Sequence, residues 1–587
     1  MKRVLLLVIA AAAVASAAWY VMRVAGIGSA VPVAALLPRE TIFLIHAPDF
    51  NRTRDQWHHL DIYQLYREPA VQEFLRKPLT RLPKREAASE TLQDVEQLDP
   101  NDAFLAITLI DRNNLRFAAG LRFRGSEQDA ERVIGKWRVR LLDKNPNAQR
   151  ETIDYERHKI ESVGVGPVRF ASAYDEHWFF VANDLSELKR LLDRVDGRNK
   201  DRQSTLEADE SYRAAIAHMP SGYAALFYFQ PKTLADQIQS LRAAIGSAVS
   251  SNEPTPLAKV QSVCGTTRLE DGKIHDVLFV GMPKLEQVRP LTRSSLNLGT
   301  KDTILYLATL LDIAEKIDIL GQSPGITERL QKIFQTFTDN GITADDWKSA
   351  FEPELATLAD WPETMHWPSV LFTLPVIDAG KASKIVEAAT RIDEDSSWTR
   401  TEKDGVRYLS MRSPASLIAI TPTIALSDRI VIGGLNAATV EEAMKRSRNS
   451  GSELSNGEAY RTAARSIPPP TNFFAYVDTA QLYMRLDATV RPLALMAAAF
   501  MPGVNEYVDL DKVPAAEVIA KHLSPIVSSQ RYDRDGYVAE SVGPVTFNQA
   551  VLGLVILGVG VGTGQKAGSG LGALLPRLPT PSPSGTP

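Results

Sequence analysis

The feature that most constrains the fold of this chain is that it is written twice. "LEADESYRAA" (Leu206–Ala215) recurs as "LSNGEAYRTA" (Leu454–Ala463) at one offset, 454 − 206 = 248. The matched pairs are Leu206/Leu454, Glu210/Glu458, Tyr212/Tyr460, Arg213/Arg461 and Ala215/Ala463. Unrelated sequences of ordinary composition agree at roughly one position in fifteen, so half of these ten positions agreeing is a large excess. The offset continues through Pro220/Pro468, Tyr228/Tyr476 and Leu234/Leu482.

Further stretches pair with modest gaps. "LLPRETIFLI" (Leu36–Ile45) matches "LGTKDTILYL" (Leu298–Leu307), an acidic-Thr pair leading into a strand. "HWFFVANDLSELKRLLDR" (His177–Arg194) matches "RIVIGGLNAATVEEAMKR" (Arg429–Arg446), a strand followed by an amphipathic helix. "RLEDGKIHDVLFVGMP" (Arg268–Pro283) and "RYDRDGYVAESVGP" (Arg531–Pro544) read as hairpins, with Asp271-Gly272 and Asp535-Gly536 at the turns. Solenoid repeats run about 20–50 residues, and this unit is several times longer. It reads as a duplicated domain.

Each copy reads as strands joined by short turns, broken by amphipathic helices. That predicts an α+β fold: two tandem related domains of mostly antiparallel sheet, with helices packed on one face. The expected divisions are a signal or anchor over 1–35, repeat domains over 36–290 and 291–544, a Gly-rich apolar segment over 545–565 and a Pro/Ser-rich tail over 566–587. The tail composition predicts disorder.

The two ends bear on location. Lys2 and Arg3 precede an uncharged run, Val4 to Met22, followed by Arg23. Ala15-Ser16-Ala17 fits a signal-peptidase site. The whole run approaches the ~20 residues that span a bilayer, and Trp19, Tyr20 and Arg23 favour an uncleaved anchor. Either version sends the body across the membrane, and the absence of a nearby cysteine excludes a lipid-modified start. At the far end, Thr546–Gln565 carries no charge, and Gly558/Gly562 and Gly560/Gly564 have the spacing of close-packed membrane helices. Its strongly apolar part, Ala550–Gly562, is short for a span. A second membrane segment and a segment packed on the body both fit it.

Composition removes several functions. The chain mixes 66 basic with 70 acidic residues, a net charge of −4, and has no basic stripe of the kind nucleic acid requires. Its one cysteine, Cys264, excludes an intrachain disulfide and any zinc site with two or more cysteines. In a strand-like run it reads as a buried small hydrophobe.

The catalytic motifs fail on chemistry. "GQSPG" (Gly321–Gly325) fits G-x-S-x-G. However, a helical pattern precedes Ser323, and Pro324 lacks the N–H that an oxyanion hole uses. "SELK" (Ser186–Lys189) fits S-x-x-K without its companion motifs, and Ser186 stands at a helix start. Adjacent His58 and His59, near Asp61 and His46, point to different sides of any element, so they make no ligand set. No phosphate loop and no cofactor motif is present, and no metal site is expected.

The repeated Glu210, Tyr212, Arg213 and Glu458, Tyr460, Arg461 remain. A Tyr-Arg dipeptide on a helix can hold an anion. Packing explains a repeated joint better: each tyrosine buries its ring against the next strand, and each arginine pairs with the glutamate three residues earlier.

With these elements placed, a resemblance can be stated. Leu37-Pro38-Arg39-Glu40-Thr41, followed by a strand and by Glu68-Pro69-Ala70-Val71-Gln72-Glu73-Phe74, resembles large bacterial envelope proteins that share a domain of unknown function. These open with Leu-Pro-x-(Asp/Glu)-Thr after a signal or anchor. The second copy keeps Asp302-Thr303 but has Gly299-Thr300 where Leu-Pro stands. The resemblance implies export and an envelope location, and it implies no activity.

Together these observations predict a membrane-anchored envelope protein with its body on the extracytoplasmic side, acting as a non-catalytic binding or scaffold protein. Its partners would be the membrane, through the N-terminal segment, and an envelope protein or lipid. A carrier for a hydrophobic ligand is the alternative, suggested by "LALMAAAFM" (Leu493–Met501), which is apolar all round. An enzyme with a dispersed site is the other.

Overall fold

The structure, a computed structural model, describes residues 32–549 apart from 81–93, 95–97, 111–114, 144, 146–147, 166–167, 237–259, 285–289, 311–334, 393–396, 412–419, 450 and 501–508. Ser323, Pro324, the N-terminal apolar run and the stretch from residue 550 onward lie outside the described residues.

Among the described residues, one antiparallel sheet of twenty strands organises the molecule. The first ten strands are β1 (Phe43–Ala47), β2 (Pro100–Ile110), β3 (Leu115–Phe123), β4 (Gln149–Tyr155), β5 (His158–Val165), β6 (Val168–Asp175), β7 (Trp178–Ala182), β8 (Ala225–Phe229), β9 (Ser262–Glu270) and β10 (Lys273–Gly281). They lie side by side as β4-β5-β6-β7-β3-β2-β1-β8-β9-β10. The second ten are β11 (Thr303–Leu310), β12 (Glu354–Asp360), β13 (Ser369–Pro375), β14 (Trp398–Lys403), β15 (Val406–Met411), β16 (Thr423–Leu426), β17 (Ile430–Gly434), β18 (Phe473–Val477), β19 (Ile526–Asp533) and β20 (Gly536–Gly543). Their order, β14-β15-β16-β17-β13-β12-β11-β18-β19-β20, repeats the first place for place.

The two runs meet where β10 pairs with β20, with Val277 opposite Glu540. The hairpin pairs Glu270↔Lys273 and Asp533↔Gly536 set an offset of 263 (533 − 270 = 536 − 273). Because 540 − 277 is also 263, Val277 and Glu540 are equivalent positions that face each other. A pseudo-twofold axis therefore passes through this pair, the arrangement of an isologous contact. Here both edge strands belong to one chain.

Helices cover both faces of the sheet, not one. On one face the helices Leu185–Val195 and Glu210–Ala217 enclose a core with Leu44, Phe104, Phe180 and Tyr228. Helices Ala437–Arg446 and Glu458–Arg465 do the same over Tyr306, Leu358, Ile432 and Tyr476. On the other face, helix Glu127–Asp143 covers Leu121, Phe123 and Phe179, and helix Ala379–Ala389 covers Leu374, Leu426 and Val431. The reason is legible in "WFFVA" (β7): Phe179 and Phe180 point to opposite faces, and both are apolar.

Local contacts explain where the two runs differ. Leu206 N–H donates to Leu37 O at 3.0 Å, and Leu454 N–H to Gly299 O at 3.5 Å, so Gly299 stands in the place of Leu37. A Cβ on Gly299 would lie 2.8 Å from Leu454 Cβ, which accounts for the glycine. The first hairpin turn is Asp271-Gly272, with φ of +50° and +77°. The second turn is Arg534-Asp535, not Asp535-Gly536, and Arg534 has φ of +47°. Gly536 is already in β20, where a Cβ would meet Val280 O at 2.3 Å across the seam. Its glycine serves close strand approach.

Candidate binding surface

The repeated Tyr-Arg helices form joints. Tyr212 sets its ring edge-on to Tyr228 (centroids 5.0 Å apart), and Tyr460 does so to Tyr476 (5.1 Å). Asp209 starts the first helix by accepting from Tyr212 N–H at 2.9 Å. Arg213 and Arg461 are exposed, as are Glu210 and Glu458. Among the described residues no ion pair joins Glu210 to Arg213 or Glu458 to Arg461, so the expected i, i+3 pairs do not form. An i, i+3 pair between long exposed side chains gains too little to fix them against solvent.

The histidines of the sequence motif are not brought together. His58 lies against the Tyr63 ring, and His59 Nδ1 bonds Asp55 O at 2.7 Å. His46 lies between Asp102 (Nε2–Oδ1 2.9 Å) and Tyr223 (Nδ1–Oη 3.0 Å). Lys189 sits over the Tyr155 ring at 4.6 Å, while Ser186 hydrogen-bonds Asp184, so the S-x-x-K pair does not converge. Cys264 is fully buried in the first core, and burial pushes its thiol up to about 12.

One cluster was not visible in the sequence. His158, Asp175 and Asp196 bring ligand-type atoms within 4.8 Å of one another. Arg157 Nη2 lies 2.6 Å from both carboxylates, and Arg198 lies 2.7 Å from Asp196. Burial raises Asp175, whereas His158 and Arg157 outweigh burial at Asp196 and hold it below the ordinary carboxylate range. A divalent cation would have to displace both guanidinium groups, so the cluster acts as an ion-pair knot tying β5, β6 and the end of helix Leu185–Val195.

The conspicuous unsatisfied surface is apolar. Helix Thr479–Phe500 follows β18, and Asp478 begins it by accepting from Gln481 N–H at 2.9 Å. The run is rich in Ala, Leu, Met and Arg, which favour helix. Its first turns are tied down. Leu482 packs with Trp361, and Arg485 donates to Trp361 O at 3.0 Å and pairs with Glu363 at 3.0 Å. Arg491 forks onto Asp487 at 2.7 and 2.9 Å and donates to Val513 O at 3.0 Å. From there the helix, called the arm below, continues to Phe500. Leu486 (41%), Val490 (45%), Leu493 (48%), Leu495 (41%) and Met496 (55%) are exposed, a concentration of large apolar side chains that isolated surface leucines do not produce. Beside it a cleft of ≈ 340 Å³ is lined by Tyr483, Leu486, Val490, Leu495, Leu510 and Val513.

No family model and no curated protein sequence matches the chain. Among solved structures it is similar to "Structure of crystal form IV of TP0453", with 8% identity and a TM-score of 0.23 over 43% of this chain and 81% of that one. It is likewise similar to "Structure of crystal form I of TP0453", with 8% identity and a TM-score of 0.22 over 44% and 82%. At such scores the superposition is too loose to transfer fold or function.

Proposed function

We propose that this chain is an exported, membrane-anchored protein of the bacterial envelope that works by binding, with the apolar arm Thr479–Phe500 as its binding surface. In this reading the two runs of strands are tandem related domains fused through β10 and β20. The observation that carries it is the row of exposed apolar side chains from Leu486 to Met496 on a helix rooted in the body by Arg485 and Arg491. Exposed apolar area of this kind marks an interaction site. The Lys2-Arg3 start and the Val4–Met22 run support export and the anchor.

The test is protease accessibility in spheroplasts. Protease added outside should digest the body while cytosolic markers survive. A body that stays protected until the cells are lysed would contradict the reading. The apolar cleft beside the arm favours carriage of a hydrophobic ligand as a second reading. Delipidated protein that takes up no fluorescent fatty acid would end it.

A further inference from the structure

We propose that the distal part of the arm, from Val490 outward, inserts into the interfacial layer of a phospholipid bilayer. This rests on the binding surface assigned above and names its occupant.

Three observations select a bilayer over a protein groove. The first is distribution. Val490, Pro492, Leu493, Leu495 and Met496 are all exposed, and at 100° per residue they spread over about 220°, more than half the helix circumference. A groove takes one stripe at i, i+3, i+4 and i+7, whereas an isotropic apolar layer accepts every side. The second is reach. About ten residues separate the end of the apolar N-terminal run at Met22 from Pro32, where the described body begins. Fully extended, they span at most about 35 Å, and the nine helical residues beyond Arg491 reach about 14 Å further from the root. A body tethered that closely stays at the membrane surface.

The third is charge. The only cations of the arm are Arg485 and Arg491, and both are engaged, by Glu363 and Asp487. No helix among the described residues is long and apolar enough to cross a membrane, and Arg485 and Arg491, the latter paired with Asp487, tie the root of this one to the body. The arm therefore dips into the interface instead of spanning it. Insertion driven by apolar area needs no anionic lipid and resists salt.

The test uses the full chain in phosphatidylcholine vesicles, with an environment-sensitive fluorophore on Leu493→Cys or Met496→Cys. Cys264 is buried and stays unlabelled. Asp404→Cys, at an exposed turn on the body, is the control. The arm labels should shift to the blue and be quenched by doxyl-labelled phosphatidylcholine severalfold more than the control, unchanged by added salt. Arm labels that stay open to aqueous iodide and are not quenched by doxyl lipid would overturn the proposal. So would disulfide-linked dimers of Leu493→Cys chains, which make a second copy the occupant. Labels that become shielded only when envelope proteins are added would overturn it in favour of a protein partner. Failure here with the body outside the cytoplasm removes only the lipid occupant. A body protected inside spheroplasts removes the binding-surface reading as well.

Discussion

Tyr212 and Tyr460, in helices 248 positions apart, stand in one relation to the sheet: each meets the ring of the tyrosine sixteen residues on (228 − 212 = 476 − 460 = 16), at 5.0 and 5.1 Å. The tyrosines they meet sit in β8 and β18, which pair with β1 and β11 in matching register: Tyr228 opposite Leu44, Tyr476 opposite Tyr306. The relation is thus part of the repeated frame. Truncation of Tyr460, which is nearly buried, should cost about 3–5 kcal/mol, the usual loss for a large ring in a core. Tyr212→Ala should cost somewhat less. Arg213→Ala and Arg461→Ala should stay within about 0.5 kcal/mol, as exposed unpaired side chains do. Chemical denaturation of the four variants separates a packing joint from an anion site, for which the arginine variants would lose a ligand.

Gly299 occupies in the second run of strands the place that Leu37 holds in the first. With Leu454 Cβ 2.8 Å from the place a Cβ would occupy, Gly299→Ala should destabilise the protein by about 1–3 kcal/mol through overpacking. An unchanged denaturation midpoint would show that the Leu454 helix shifts freely.

Asp276 gives a pH signature at the seam. It is buried opposite Ser541, and Thr267 and Thr546 donate hydroxyl hydrogen bonds to its carboxylate. Burial nonetheless pushes its pKa above the ordinary value of 3.8. A carboxyl whose folded pKa is raised contributes most below the unfolded value and loses that contribution as pH rises through the folded one. Asp276→Asn keeps one oxygen to accept from a threonine hydroxyl, donates from its amide to the other threonine oxygen, and removes the titration. The variant should melt higher than the parent at neutral pH, and the difference should shrink toward pH 4. A difference that grows on acidification would contradict the assignment.

What the sequence made legible follows from which signals are local. The Tyr-Arg helices, the strand-plus-helix units at His177 and Arg429, and the Asp271-Gly272 turn all carry their pattern within a few residues. The apolar character of Leu493–Met496 was legible too, since "LALMAAAFM" has no polar face, but its exposure was not. The seam was not. Val277 and Glu540 lie 263 residues apart, and nothing in either strand says that it pairs with its own counterpart. The knot of His158, Asp175 and Asp196 was hidden because three separate elements deliver its members. Gly536 misled because a glycine after Asp535 reads as a turn, while the strand contact that requires it comes from Val280 of the other copy.

The most direct test of the binding account is photocross-linking in growing cells, with a benzophenone side chain placed at Met496 or, as control, at Asp404. Among the described residues of the arm Met496 is the most exposed large apolar side chain, whereas Asp404 occupies a turn remote from it in the strand order. The account predicts covalent adducts, lipid or protein, at position 496 in large excess over position 404. Equal yields at the two positions would show that the arm meets only water, and the claim that it is the working surface would fall.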